Sequence, residues 1–284
     1  MASAAPARRM GVNIFDESKP MWRIMAMFLV PLMLSNVLQT ASQTFGSIFL
    51  GRMLGTDALA AVSCVFPVFF FLISFLFGIG SGATVLIGQA FGAQNHALVK
   101  RIAGTVLGAT MILAVLVALV GTAFTPSILA LLGTPHAILD RADAYARWIF
   151  LTSPVIFPYV IYTMFLRGTG DAQTPFYFLI ISSALSIALT PAFISGFAGL
   201  PRLDVVSAAA SAFIAQGVAF AALLVYLRVR KHALQLDGEM LRGMAIDFTL
   251  LAKIANPSSP KTDQIAVNVN TPAQIAPQLT RVAP

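Results

Sequence analysis

Charged residues in the first 230 positions fall into short clusters, separated by long apolar stretches that carry no charge at all. A lipid hydrocarbon core about 30 Å thick is crossed by roughly 20 apolar residues of α-helix, and each stretch holds one such segment. The sequence therefore predicts a polytopic membrane protein. The charge-free stretches are 24–51, 58–99, 102–139, 148–166, 172–201 and 205–227.

Composition supports a helical bundle in lipid and excludes a soluble domain. The chain is 58% hydrophobic and only 10% charged, whereas soluble domains carry about 25% charged residues. Backbone polar groups in lipid must bond within their own segment, which favours helices. We expect an all-α fold of six transmembrane helices, at about 22–50, 62–88, 102–124, 148–166, 175–195 and 205–227.

The segment 125–147, between the third and fourth spans, is expected to lie outside the membrane. It contains Pro126, Gly133 and Pro135, and it also contains the charged residues Asp140 and Arg141. Proline and glycine interrupt regular helix, and charge is costly in lipid. The prediction is an external loop with one short interfacial helix.

The formal charge of +7 is better explained by membrane topology than by nucleic acid. With the N-terminus in the cytoplasm, 14 of the 18 Lys and Arg residues fall on the cytoplasmic side of the spans. Cytoplasmic loops of membrane proteins carry this excess of positive charge. Both termini are therefore predicted in the cytoplasm, with the chain in a cytoplasmic (inner) membrane and no nucleic-acid partner.

The chain divides into four regions by composition. Residues 1–21 form a cytoplasmic N-terminal segment, and 22–231 form the six-helix lobe. Residues 232–257 are mixed and basic, as in a cytoplasmic amphipathic linker. Residues 258–284 combine prolines with small polar residues and bury too little apolar surface to offset the entropy of ordering, so we expect disorder there.

The first span carries the best candidate for a surface that faces a solute. At 100° per residue, Asn36, Gln39, Thr40 and Gln43, with Thr44 and Ser47, fall within an arc of roughly 140°. Polar side chains in a membrane helix turn away from lipid, so this arc either lines a water-filled path or bonds to neighbouring helices. The residues alone favour neither alternative.

Two tyrosines of the fourth span, Tyr159 and Tyr162, offer aromatic contacts to a solute, although ordinary packing explains them better. The glycine run 78–82 lies inside a span, where a nucleotide-binding strand–turn–helix has no place. Its spacing indicates close helix packing instead. The small-xxx-small pairs are Gly78 with Gly82, Gly88 with Gly92, and Gly104 with Gly108.

Catalytic and metal-binding functions find no support in the sequence. The three histidines lie in separate loops, and the single cysteine, Cys64, has no partner in the chain. The carboxylates do not pair within the bundle. We therefore expect neither an enzyme nor a metal site nor a bound cofactor.

The loop after the fourth span reads Arg-Gly-Thr-Gly-Asp-Ala-Gln-Thr-Pro over 167–175, and it closely resembles the signature of the multidrug and toxic compound extrusion (MATE) transporters. Further stretches at 31–36, 51–55 with 58–62, 78–82 with 88–92, and 207–212 resemble the same family in order and spacing, over about 21–231. The matching loop residues are Arg167, Gly168, Gly170, Asp171, Thr174 and Pro175.

The resemblance implies one lobe of a fold with twelve helices in two related halves around a central cavity. Such transporters export cationic or amphipathic compounds in exchange for protons or sodium. Only the first half is recognisable here, so we expect a truncated or frameshifted product, or a half-size protein that forms a homodimer. Other readings are a non-transporting remnant or assembly partner, and a flippase for lipid-linked precursors, whose cavity is usually cationic.

The resemblance also indicates where ion coupling differs. Many family members place an Asp in the first span and an Asn and an Asp in the fifth, and the matching positions here are Gly46, Ser186 and Thr190. All 11 Asp and Glu residues lie outside the apolar spans. Intramembrane carboxylates normally mark proton or sodium relays. A coupling carboxylate is therefore expected from outside this half.

Overall fold

The computed structural model describes residues 21–196, 203–230 and 234. Within those residues it contains six long α-helices, each long and apolar enough to cross a membrane, and no strand. The six predicted spans are confirmed. The helices are α1 (Met21–Leu54), α2 (Thr56–Gly92), α3 (His96–Leu131), α4 (Leu139–Gly168), α5 (Gln173–Ser195) and α6 (Val206–Val229).

The first four helices are longer than a lipid core requires. α3 has 36 residues, which at a rise of 1.5 Å per residue makes it about 54 Å long. Its C-terminal turns and the N-terminal turns of α4 occupy the segment expected to be a loop, so that expectation is wrong. The only interruption there runs from Leu132 to Ile138, and its last three residues form a 3-10 turn.

Most of the segment 125–147 is helical: Pro126 lies inside α3, and Gly133 and Pro135 stand between the helices, where they are tolerated. Gly133 follows the end of α3 with φ +68°, a left-handed conformation suited to glycine. Pro135 precedes the 3-10 turn, and Asp140 lies in the first turn of α4, where the helix dipole favours an anion. Charge in this region therefore marks the end of the apolar span and not the end of the helix.

The core of the lobe lies between α2, α3, α4 and α6. α4 packs extensively on α3 and α2 and also on α6, while α5 packs on α6 and α1. α1 packs mainly on α5 and less on α2, so it stands at the edge of the bundle. The largest fully buried side chains include Tyr162, Phe165, Leu76 and Ile87.

The regions proposed for 232–257 and 258–284 lie outside the described residues, apart from Leu234. The N-terminal segment 1–21 does so as well, apart from Met21.

Candidate functional site

The polar arc of α1 lies on the surface of the lobe. Asn36, Gln39, Thr40, Gln43, Thr44 and Ser47 are all exposed. The side that packs against the other helices is a different one and includes Ser35, which is buried. A third side is exposed and apolar, with Val30, Val37 and Ile48. α1 therefore presents a packing face, an apolar face and a polar face.

Hydroxyls and amides on the polar face differ in how far the helix itself satisfies them. Thr40, Thr44 and Ser47 each donate to the carbonyl oxygen four residues earlier, at 2.9 to 3.0 Å. Hydroxyls bonded in this way are tolerated next to lipid. They do not by themselves indicate a solute path.

The three amides cannot be satisfied in the same way. Among the described residues, the side-chain amides of Asn36, Gln39 and Gln43 make no hydrogen bond; the backbone carbonyl oxygens of Asn36 and Gln43 accept from the hydroxyls of Thr40 and Ser47. Each carboxamide carries two N–H donors and an acceptor oxygen, and leaving them unpaired in hydrocarbon costs several kcal/mol, about 2–7 per group. These side chains require water, a solute or a further polypeptide against them. They bond to no neighbouring helix of the described lobe.

Tyr159 and Tyr162 are buried inside the lobe, away from any exposed surface. Tyr162 is completely buried, and its ring centroid lies 6.0 Å from that of Phe220 in α6. Tyr159 packs edge-on against the same Phe220 at 6.2 Å. The structure therefore brings the two tyrosines together with α6 and does not join them to the polar face of α1.

The loop from α4 to α5 is built around a buried carboxylate. Asp171 is 7% exposed, and its Oδ1 accepts hydrogen bonds from the backbone N–H groups of Gln173, at 3.1 Å, and Thr174, at 2.9 Å. Its Oδ2 accepts from the Thr174 hydroxyl. The side chain thus caps the N-terminus of α5, where the dipole stabilises a negative charge.

Glycine is required twice in the same loop. Gly170 has φ +83°, and its N–H donates to the Arg167 carbonyl oxygen at the end of α4. The Asp171 N–H donates to the Leu166 carbonyl oxygen. These two bonds form a Schellman motif. A Cβ on Gly168 would lie 2.9 Å from the Thr84 carbonyl oxygen of α2. The motif residues therefore hold the α4–α5 turn against α2.

The close seam between α2 and α4 matches the predicted small-residue pairs only in part: it includes Gly88 of those pairs and also Gly80, which was not among them. A Cβ on Gly80 would meet the Met164 side chain, and one on Gly88 would lie 3.3 Å from the Gly168 carbonyl oxygen. Between them, Thr84 donates to the Gly80 carbonyl oxygen at 2.7 Å. Gly78 and Gly92 have open space, so the packing assigned to them is not observed.

A pair of neutral hydroxyls stands at one of the expected coupling positions. Thr190 of α5 is buried, and its Oγ1 lies 2.7 Å from Ser211 Oγ of α6 and 2.7 Å from the Ser186 carbonyl oxygen. Ser211 also donates to the Ser207 carbonyl oxygen. Gly46 has no atom within 4 Å of its Cβ position. The partnership of Thr190 with Ser211 was not foreseen, because nothing in their spacing indicates which helices adjoin.

Comparison with known proteins places this helical lobe in a recognised group. The model of the family described as MatE matches residues 31–192, more than half of the chain. "Probable multidrug resistance protein YoeA" of Bacillus subtilis (strain 168) is 48% identical over 86% of this chain and 53% of its own. The "FAD transporter" of Shewanella oneidensis is 27% identical over 85% of this chain and 53% of its own.

Solved structures agree with these matches at the level of the fold. A MATE transporter crystallised in the bent conformation superposes with a TM-score of 0.71 at 25% identity, over 82% of this chain and 50% of that one. The straight conformation gives 0.75 at 24% identity over 87% and 53%. The chain thus spans about half the length of the relatives and structures that it matches.

Proposed function

The chain belongs to the MatE family of membrane transporters, and we propose that its six helices form one lobe of an exporter of cationic or amphipathic compounds. The polar face of α1 forms part of the wall of the solute path. The observation that carries this proposal is the set of three exposed, unpaired amides, Asn36, Gln39 and Gln43, on a helix otherwise apolar enough to span lipid. Water or solute against these amides removes the cost of exposing them to hydrocarbon.

The remaining wall of the path comes from outside the described helices. α1 stands at the edge of the bundle with its polar face uncovered. The match covers 53% of the length of a relative, which carries a further segment outside the matched part. We propose that either such a segment or a second copy of this chain covers the polar face across the path.

Export is driven by exchange for protons or sodium, and the ionisable group that senses the ion lies outside this lobe. In the described residues, the acidic side chains stand in the first two turns of α2 and α4 and in the loops. Thr190 and Ser211, which are paired between α5 and α6, do not change charge at physiological pH. The lobe therefore forms part of the wall of the solute path, and the ionisable group that couples export to the ion lies outside the lobe.

The orientation proposed for the lobe places both termini in the cytoplasm of the cell, in the cytoplasmic membrane. Exposed Arg23, Arg101, Arg228 and Arg230 stand at the helix ends on one side of the bundle. Arg52, Arg141 and Arg147 stand toward the other end. The first side carries the larger positive charge, as expected of the cytoplasmic face.

A cysteine scan of α1 tests the path. After Cys64→Ala, single cysteines replace Gln39 and Gln43 on the polar face, and Val37 and Phe45 on the exposed apolar face serve as matched controls. Thiols must ionise in water to react. A membrane-impermeant maleimide is expected to label the polar-face positions about tenfold faster. Equal labelling of both faces would contradict the proposal.

Export itself is tested with the full chain reconstituted in vesicles loaded with a cationic fluorescent dye. Dye efflux is expected with a proton or sodium gradient and is expected to stop when ionophores dissipate both. Efflux that continues without gradients would exclude exchange. Absence of efflux under every gradient would favour the non-transporting alternative.

A further inference from the structure

Leu234, the residue beyond Arg230 that the structure describes, is anchored inside the lobe. Val229, the last residue of α6, is 76% exposed, and Arg230 is exposed as well. Leu234 is completely buried and belongs to the same core cluster as Phe165, Leu166 and Leu227. Within five residues the chain passes from the exposed end of a helix into the hydrophobic core.

The backbone of Leu234 also contacts the lobe. The Tyr162 hydroxyl of α4 donates a hydrogen bond to the Leu234 carbonyl oxygen. A carbonyl that enters an apolar core outside a helix needs a donor from elsewhere, because no water is available there. Tyr162 provides that donor from a ring fixed between Phe165 and Phe220.

Tyr162 stands well inside the lobe. It lies six residues before Gly168, the last residue of α4, which at 1.5 Å per residue is about 9 Å from the end of the helix. A contact at that depth joins the chain after α6 to α4, which is not its neighbour in sequence. Phe220 of α6 contacts the same ring, so one tyrosine joins three parts of the molecule.

We propose that Tyr162 and its apolar surroundings form a docking site for the segment that follows α6, with Leu234 as the anchoring residue. Leu234 fills the core, and Tyr162 satisfies its carbonyl. Leu234 therefore holds this segment beside α4.

Hydrogen–deuterium exchange of the full chain in lipid nanodiscs tests the docking site, because amide exchange reports local opening. Tyr162→Phe removes only the hydroxyl, and amides in the peptide around Leu234 are expected to exchange about tenfold faster, the effect of losing one bond to a buried acceptor. Tyr177→Phe, the same change on an exposed tyrosine of α5, is expected to leave that peptide unchanged.

A second variant changes the other partner of the contact, Leu234. Leu234→Ala is expected to accelerate exchange in the same peptide at least as strongly, while Val229→Ala, which shortens an exposed side chain, is not. Peptides from α3 provide the internal reference and are expected to stay unchanged in all four variants. Unchanged exchange near Leu234 in Tyr162→Phe, or equal acceleration in α3, would overturn the docking site.

Discussion

α1 and α4 are both apolar enough to span a membrane, yet they have opposite positions in the lobe. Their most apolar 18-residue stretches have mean hydropathies of 1.4 and 1.8. In α1 only 6% of that stretch is buried within the lobe, against 61% in α4. Overall hydropathy identifies both as spans, but it does not distinguish a helix of the core from one at an exposed edge.

The use of polar groups separates the two helices. In α4, Ser153 is buried and donates to the Ala114 carbonyl oxygen of α3 at 2.9 Å, and Tyr162 donates to Leu234. These bonds join α4 to other parts of the chain. Within the described part of the chain, the hydroxyls of Thr40 and Ser47 in α1 bond only to their own helix, and the side-chain amide of Gln43 makes no hydrogen bond. Polar groups stabilise packing in α4 and remain available in α1.

The largest effect is expected where α4 lies closest to α2. Gly168→Leu places a side chain where even a Cβ would lie 2.9 Å from a backbone oxygen, and overpacking of this kind costs typically 1–3 kcal/mol and occasionally more. We expect loss of folded protein, measured by size-exclusion chromatography and thermal unfolding. Gly78→Leu in α2 is the matched control, since Gly78 has open space around it. Equal stability of the two variants would contradict the close seam.

A smaller loss is expected at the turn that joins α4 to α5. Asp171→Ala removes the acceptor of three hydrogen bonds at a buried helix N-terminus, and loss of such a cap costs about 0.5–2 kcal/mol. Asp171→Asn keeps an oxygen for the two backbone donors and is expected to lose less. Thermal unfolding midpoints provide the measurement. An asparagine variant as unstable as the alanine variant would show that charge matters more than the acceptor.

A weaker contact fastens α4 to the loop before α6. Arg141 Nε lies 3.1 Å from Asp204 Oδ2, with both side chains nearly half exposed, and exposed ion pairs are worth about 0–1 kcal/mol. Arg141→Ala is expected to lower the unfolding midpoint slightly, and the difference is expected to vanish in about 1 M salt, where the screening length falls to about 3 Å. A loss that persists in high salt would indicate packing by the arginine stem.

The number of helices and their apolar parts could be predicted because lipid imposes one requirement on every span. The ends of α3 and α4 could not, since the apolar pattern marks only the part in lipid, and Asp140 and Arg141 lie on helix beyond it. Small-residue spacing indicated close packing but not the face involved. Gly80 and Gly88 contact α4, whereas Gly78 has open space.

Sequence analysis could predict the candidate site only where all of its residues lie on one helix. The arc of α1 follows from helical periodicity, so its residues could be grouped without knowledge of the neighbours. Pairs between helices have no such signal. Thr190 with Ser211, and Tyr162 with Leu234, depend on which helices adjoin and at what depth. Burial of Tyr162 also separates it from the amides with which it had been grouped.

The smallest effect on stability is expected on the polar face of α1, where Gln43→Leu replaces an exposed amide that bonds to none of the described residues. Exposed substitutions of this kind change the free energy of unfolding by less than about 0.5 kcal/mol, so the unfolding midpoint should stay near that of the parent chain. Dye efflux from vesicles is nevertheless expected to fall, because a wall amide is lost from the path. Val37→Leu, on the apolar face of the same helix, is expected to change neither quantity. If Gln43→Leu unfolds the protein, or if efflux is undiminished, α1 does not line the path and does not differ from α4 in the way described.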